Sequence, residues 1–149
     1  MPGHLSLPAT DRCAFCDYLS GARPYTILHA DELAAVLVTR EQRGAAHVLV
    51  LPIRHAPSVL ELASAESYRV MDLIRASASA IDEIERRPGI SVWQNNGIPA
   101  GQAIPHLHFH VAGTNEGGGT EWNDVPELSI LETDEIAVRL RPAFKAALA

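Results

Sequence analysis

Residues His106-Leu107-His108-Phe109-His110-Val111-Ala112 place three imidazoles on strict alternation with apolar side chains. A β-strand repeats every two residues, so one face of such a strand carries His106, His108 and His110 and the other can enter a core. Imidazole is the side chain best suited near neutral pH to act as nucleophile, proton donor or metal ligand. Three of the seven histidines of the chain fall within these five positions, which makes the segment its strongest candidate for chemistry. Just before it runs a stretch rich in Gly, Asn and Pro, from Asn95 to Gln102. These are turn-forming residues, and amides gathered in a loop there can surround an anion held against the imidazoles.

A second cluster is Cys13-Ala14-Phe15-Cys16. In a reducing compartment, two cysteines at this spacing read as metal ligands, a redox pair or buried thiols in preference to a structural disulfide.

The elements that must position these residues follow from periodicity. Short β-type runs cover 26–29, 34–38 and 47–52, consistent with successive antiparallel strands, and Pro52 and Pro57 stop the pairing. From Ser64 to Arg87 the period becomes helical, with Val70, Leu73, Ile74, Ile81 and Ile84 on one stripe, Ser64 as N-cap and Pro88-Gly89 as the stop. Two further strands are expected at 90–94 and 106–112. A last short helix is expected near 134–140, capped by Thr133 and ended or kinked by Pro142. The order β-β-β-α-β-β predicts an α+β fold, a mainly antiparallel five-stranded sheet with one long amphipathic helix packed on it. The expected organisation is a flexible arm at 1–12, a domain at 13–113 and an extension at 114–149.

With 149 residues and 47% apolar content, the chain is long enough for one domain with a real core. The formal charge of −6 argues against a nonspecific grip on a nucleic-acid polymer, which needs a basic surface. No stretch has the apolar length of a membrane helix or of a secretory signal, so a cytoplasmic location is expected.

The segment NNGIPAGQAIPHLHFHV resembles the histidine triad family, whose pattern is an Asn, a Gly-Gln pair and three histidines alternating with apolar residues. His47-Val48-Leu49-Val50-Leu51-Pro52 followed by His55 is similar to the other hallmark of that family, and Cys13 with Cys16 to the paired cysteines of its zinc-containing branch. The resemblance runs from about Cys13 to Ala112. It implies that His108 is the nucleophile, attacking phosphorus to form a phosphorus–nitrogen bond that water later breaks. It implies that His110 donates to the phosphate oxygens, and that His47, Asn95, Gly101 and Gln102 contact nucleotide and phosphate. It further implies that Cys13, Cys16, His55 and His106 hold a structural Zn²⁺ with no open position. A catalytic metal on the triad itself is the rival reading, and the loop looks built for an anion.

The implied activity is hydrolysis or nucleotidyl transfer on a purine nucleotide conjugate, such as an AMP phosphoramidate or a dinucleoside polyphosphate, by a homodimer built through the long helix and the neighbouring strand. Three positions depart from the pattern. Ala103 stands where a hydroxyl is common, Thr39 where an acidic ribose contact is common, and Gly113 where one branch has Pro. The first two motivate a second hypothesis, a nucleotide-binding regulatory module with little turnover; a structural partner protein is a third. Trp93 is expected in the sheet core or a subunit contact, and Trp122 is a candidate to cover a nucleotide base.

Overall fold

A computed structural model describes residues 3–149. Five antiparallel strands form one sheet: β1 (Ile27–Ala30), β2 (Ala34–Val38), β3 (Ala45–Pro52), β4 (Ile90–Trp93) and β5 (Phe109–Gly113), in the order β1-β2-β3-β5-β4. The helices are α1 (Ala14–Ser20), α2 (Ser64–Glu85) and α3 (Ile130–Leu148). The α+β class and the five-stranded antiparallel sheet match expectation. Among the described residues, no helix is long and apolar enough to cross a membrane.

Strand parity divides the sheet into two faces. Val36, Val38, Val48, Val50 and Val111 point to one side, where they pack with Val70, Leu73, Ile74 and Ile81 of α2 and with Ala137, Leu140 and Phe144 of α3. Leu37, Leu49 and Leu51 point to the other side and pack on Phe15 of α1. His47 and His110 share the parity of that second face, so the core on the first face fixes where these imidazoles stand.

Several local expectations are corrected. The last helix begins at Ile130 and not near Asp134. Its cap is Ser129, which exchanges hydrogen bonds with Glu132 in a capping box. Thr133 is instead fully buried, 2.6 Å from the hydroxyl of Thr26. Pro142 lies inside α3 without ending it; it is exposed, and the carbonyl it leaves free belongs to exposed Val138, within reach of water. The N-cap of α2 is Ala63, whose N–H donates to the Glu66 carboxylate at 2.9 Å, so Ser64 is the first helical residue. α1 was not expected. Its sequence carries the signature all the same: a Cys13 cap that accepts from the Cys16 N–H, and Gly21 at φ 83 as the left-handed stop.

The strand expected over 106–112 starts only at Phe109. Pro52, which ends β3, has no N–H for the ladder, and its carbonyl accepts from the imidazole of His106 at 2.8 Å. Residues 3–12 of the expected arm have no regular structure, residues 1 and 2 lying outside the described residues, and the Ser6 carbonyl accepts from Ile98 N–H at 2.7 Å.

Candidate functional site

The four metal-ligand candidates come together. The donor atoms of Cys13, Cys16, His55 and His106 all lie within 4.8 Å of one another. His106 Nδ1 is 3.3 Å from Cys13 Sγ and 3.6 Å from Cys16 Sγ, and His55 Nδ1 is 3.5 Å from Cys16 Sγ. A tetrahedral ion with Zn–S near 2.3 Å and Zn–N near 2.0 Å puts its ligands about 3.3–3.8 Å apart, so this set fits such an ion. The bond from His106 Nε2 to Pro52 places the hydrogen on Nε2 and leaves Nδ1 its lone pair, as metal-binding histidines require. Both cysteines are free. Burial, together with neighbouring Cys13, pushes the Cys16 thiol up to about 11, so without a cation to stabilise its thiolate Cys16 stays protonated.

His106 thus faces the thiols, while His108 and His110 line a cavity of about 350 Å³ on the second face of the sheet. His108 Nδ1 donates to the His106 carbonyl at 2.7 Å, which leaves Nε2 as the nitrogen with a lone pair. Burial lowers its pKa, opposed by that bond, so the ring is neutral near pH 7. Phe15 meets the ring edge-on, centroids 4.8 Å apart, and therefore connects the helix capped by Cys13 to His108.

His47 and His110 form a fixed pair. Arg43 N–H donates to His47 Nδ1 at 3.1 Å, so the His47 hydrogen is on Nε2. That Nε2 lies 3.0 Å from His110 Nδ1, which must then accept. The remaining hydrogen of neutral His110 is on Nε2. Burial holds His47 down at about 3 and His110 at about 2, so both are neutral donors. Trp93 and Gln42 keep the pair in place, through contacts the sequence does not mark. Trp93 sits directly across from His110 in the β4–β5 register and stacks on it, with 4.6 Å between centroids and planes 2° apart. It is half-buried against His110 and His47, outside the sheet core. Gln42 fills a bulge in β3 between Ala45 and Val48: its amide accepts from His47 N–H at 2.9 Å and donates to the His47 and Thr39 carbonyls at 2.9 and 2.7 Å.

The loop before the triad is tied from within. Gln102 Oε1 accepts from Gly97 N–H at 2.7 Å, and its Nε2 donates to the Pro57 and Ile104 carbonyls at 2.7 and 2.9 Å. Asn95 donates to the Ala100 carbonyl at 2.7 Å, and Gly101 N–H to Ile98 at 2.9 Å. Gly97, at φ 90 and ψ 154, occupies a region open essentially to glycine alone. Asn95, Gly101 and Gln102 all border the cavity with the imidazoles and His47. Tyr18, Tyr25, Arg40, Arg43 and Glu127 also border it, and no sequence motif marks them. Trp122 stands outside, 82% exposed.

A neutral, oriented imidazole beside a second imidazole donor, in a cavity large enough for a small organic anion, can carry out covalent transfer at phosphorus. Comparison with known proteins points the same way. Residues 20–117 match the model of the HIT domain. The adenosine 5'-monophosphoramidase of Schizosaccharomyces pombe is 30% identical over 117 residues, covering 76% of this chain and 85% of that protein. Among solved structures, a Hit-like protein involved in cell-cycle regulation from Bartonella henselae has a TM-score of 0.82 at 21% identity, covering 91% of this chain and 98% of that one. A Zn-bound histidine triad family protein from Mycobacterium smegmatis has a TM-score of 0.76 at 23% identity, covering 90% and 94%. These two likenesses establish the fold, while the domain match spans most of the sequence and includes both histidine motifs; the chain belongs to the HIT family.

Proposed function

We propose that this protein is a zinc-containing hydrolase or nucleotidyl transferase that cleaves at the α-phosphate of a purine nucleotide conjugate. The leading substrates are an AMP phosphoramidate and a dinucleoside polyphosphate. The observation that carries this reading is the 2.7 Å bond from His108 Nδ1 to the His106 carbonyl, which presents Nε2 to the cavity with its lone pair available. The Nε2 lone pair attacks phosphorus, a P–N bond forms, and the bond from phosphorus to the leaving group breaks. Water then adds to phosphorus, the P–N bond breaks, and the electron pair returns to His108. Charge grows on the phosphate oxygens during both steps, and the Nε2–H of His110 is aimed to meet it without reorganisation. His47 fixes the tautomer of His110; Asn95, Gly101 and Gln102 shape the loop around the phosphate.

Zinc at Cys13, Cys16, His55 and His106 would be structural, since four protein ligands leave no open position. Bound there, it ties the start of α1 to the residue whose carbonyl orients His108. A thiolate site of this kind suits a reducing compartment such as the cytoplasm. A homodimer is part of the proposal: β4 is an unpaired sheet edge, and Tyr68 and Met71 of α2 are 76% and 61% exposed.

The test is incubation with a fluorogenic adenosine phosphoramidate and with diadenosine polyphosphates, followed by mass spectrometry of acid-quenched protein. Turnover and a nucleotidyl adduct on His108, both abolished in His108→Asn, are expected. A second reading, a nucleotide-binding module, is favoured by Ala103, which has no hydroxyl to protonate an amine leaving group. Tight nucleotide binding with no turnover on any of these substrates would select it.

A further inference from the structure

We propose that Glu127, which lies beyond the part of the chain matching the HIT domain, is a specificity-determining residue that accepts the sugar hydroxyls of a ribonucleotide. The inference rests on the nucleotide reading of the cavity and adds which conjugates it selects.

The segment 121–128 is fastened to the turn between β2 and β3. Glu121 N–H donates to the Arg43 carbonyl at 2.7 Å, and Leu128 N–H to the Arg40 carbonyl at 2.8 Å. In return, Arg40 Nε donates to the Leu128 carbonyl at 2.6 Å, and Arg43 Nη1 to the carbonyls of Asn123 and Glu121 at 2.6 and 3.2 Å. Glu127 pairs with Glu41 in a β-bridge, and both border the cavity. The domain match ends at residue 117, so Glu127 reaches this wall from the C-terminal segment outside it.

The chemistry of the lining divides into three parts. His108 and His110 suit a phosphate. Phe15, Tyr18, Tyr25 and Leu49 offer flat apolar contact, which suits a base. Thr39, Glu41 and Glu127 make up the third part. Glu127 and Glu41 are paired with Arg40 and Arg43 of the same lining, at 3.2 and 3.8 Å, and the carboxylate oxygens these pairs leave free suit a neutral group that donates hydrogen bonds. With the base on the aromatic wall, the donors left in a nucleotide are the sugar hydroxyls. Position supports this assignment. Thr39 follows β2 directly, and Gln42 links its carbonyl to that of His47, the partner of His110. Glu41 and Glu127 border the same cavity as His47 and His110. Arg40 Nη1 is 3.2 Å from one oxygen of Glu127, whose side chain is 59% exposed, and the second oxygen is left to accept.

The experiment compares kcat/KM for adenosine 5'-phosphoramidate and its 2'-deoxy counterpart in the wild type, Glu127→Ala and Glu127→Gln, with exposed Glu116→Gln as control. The wild type should prefer the ribonucleotide by about tenfold, the worth of one hydrogen bond to a charged group. Glu127→Ala should bring the ratio to about twofold or less, by raising KM for the ribonucleotide alone. Glu127→Gln, which keeps a neutral acceptor, should fall between, and Glu116→Gln should match the wild type. A looser wall alone would weaken both substrates together and leave the ratio unchanged. An unchanged ratio in both Glu127 variants, or a wild type that does not discriminate, overturns the assignment while leaving the nucleotide reading intact. If no substrate is turned over, the ratio is read from calorimetric Kd values for AMP and 2'-deoxy-AMP, with the same criteria. Absence of any nucleotide binding overturns both.

Discussion

The His106 carbonyl accepts a 2.7 Å hydrogen bond from His108, while the His106 side chain points the other way, 3.3 Å from the Cys13 sulfur. One residue therefore belongs to two sites: its imidazole to the Cys₂His₂ cluster and its backbone to the candidate nucleophile. Whatever orders the cluster also orders the tautomer and plane of His108.

Metal removal should separate capping from coordination at Cys13. The sulfur of Cys13 caps α1 as well as belonging to the four-ligand set. Cys13→Ser keeps a side-chain acceptor at the cap and loses the thiolate. The wild type purified without added metal is expected to hold about one equivalent of zinc. A chelator should lower its unfolding free energy by at least about 2.7 kcal/mol, the linkage at hundredfold saturation. Cys13→Ser should start at the lower stability and ignore the chelator. Equal melting curves for the wild type with and without chelator would sink the zinc assignment.

Stability should fall with acid through the buried histidine pair. The folded pKa values of His47 and His110, about 3 and about 2, lie below the unfolded value. With an unfolded histidine near 6.5, the unfolded chain binds more protons below that pH. The contribution is complete above about pH 6.5 and is lost as the pH falls toward the folded values, with a slope approaching about 1.4 kcal/mol per pH unit for each imidazole. Denaturant melts between about pH 7 and about pH 4 should show this decline, and His110→Gln should make it shallower. A stability independent of pH over that window contradicts the neutral pair.

The Gln42 plug is expected to matter to both fold and site. Gln42→Leu leaves the N–H and the carbonyl of His47 without their partner in the bulge. The expected cost is about 2 kcal/mol in chemical denaturation, with kcat lowered more than KM because His110 loses its fixed partner. A variant as stable and as active as the wild type would show that water replaces the amide.

Ser77 offers a stabilising change. Its hydroxyl, buried in α2, is without a hydrogen-bond partner among the described residues. Ser77→Ala removes the unpaired group and improves helix propensity, so it should raise unfolding free energy by about 1 kcal/mol. A destabilised variant would mean that the hydroxyl is satisfied in solution.

Much of the candidate site was legible in the residues themselves. Alternation in the triad and the apolar run of β3 place His110 and His47 on the face away from α2, because strand parity is a local property of the backbone. The metal-ligand candidates were named from the resemblance, and long-range folding brings their donors within 4.8 Å of one another. Local signals misled where a neighbour competed for the backbone. Pro52 gave its carbonyl to a side chain and delayed β5, and buried Thr133 turned to Thr26 instead of capping α3.

What no local pattern carries is which surfaces meet across the sheet. Trp93 on His110, Gln42 in the bulge at His47, and Glu127 beside Glu41 are contacts between segments of unrelated sequence spacing. Short-range periodicity determines the faces of each element. The pairing of β4 with β5, and the return of the C-terminal segment over the β2–β3 turn, were decided only when burial of the shared core fixed every strand in one register.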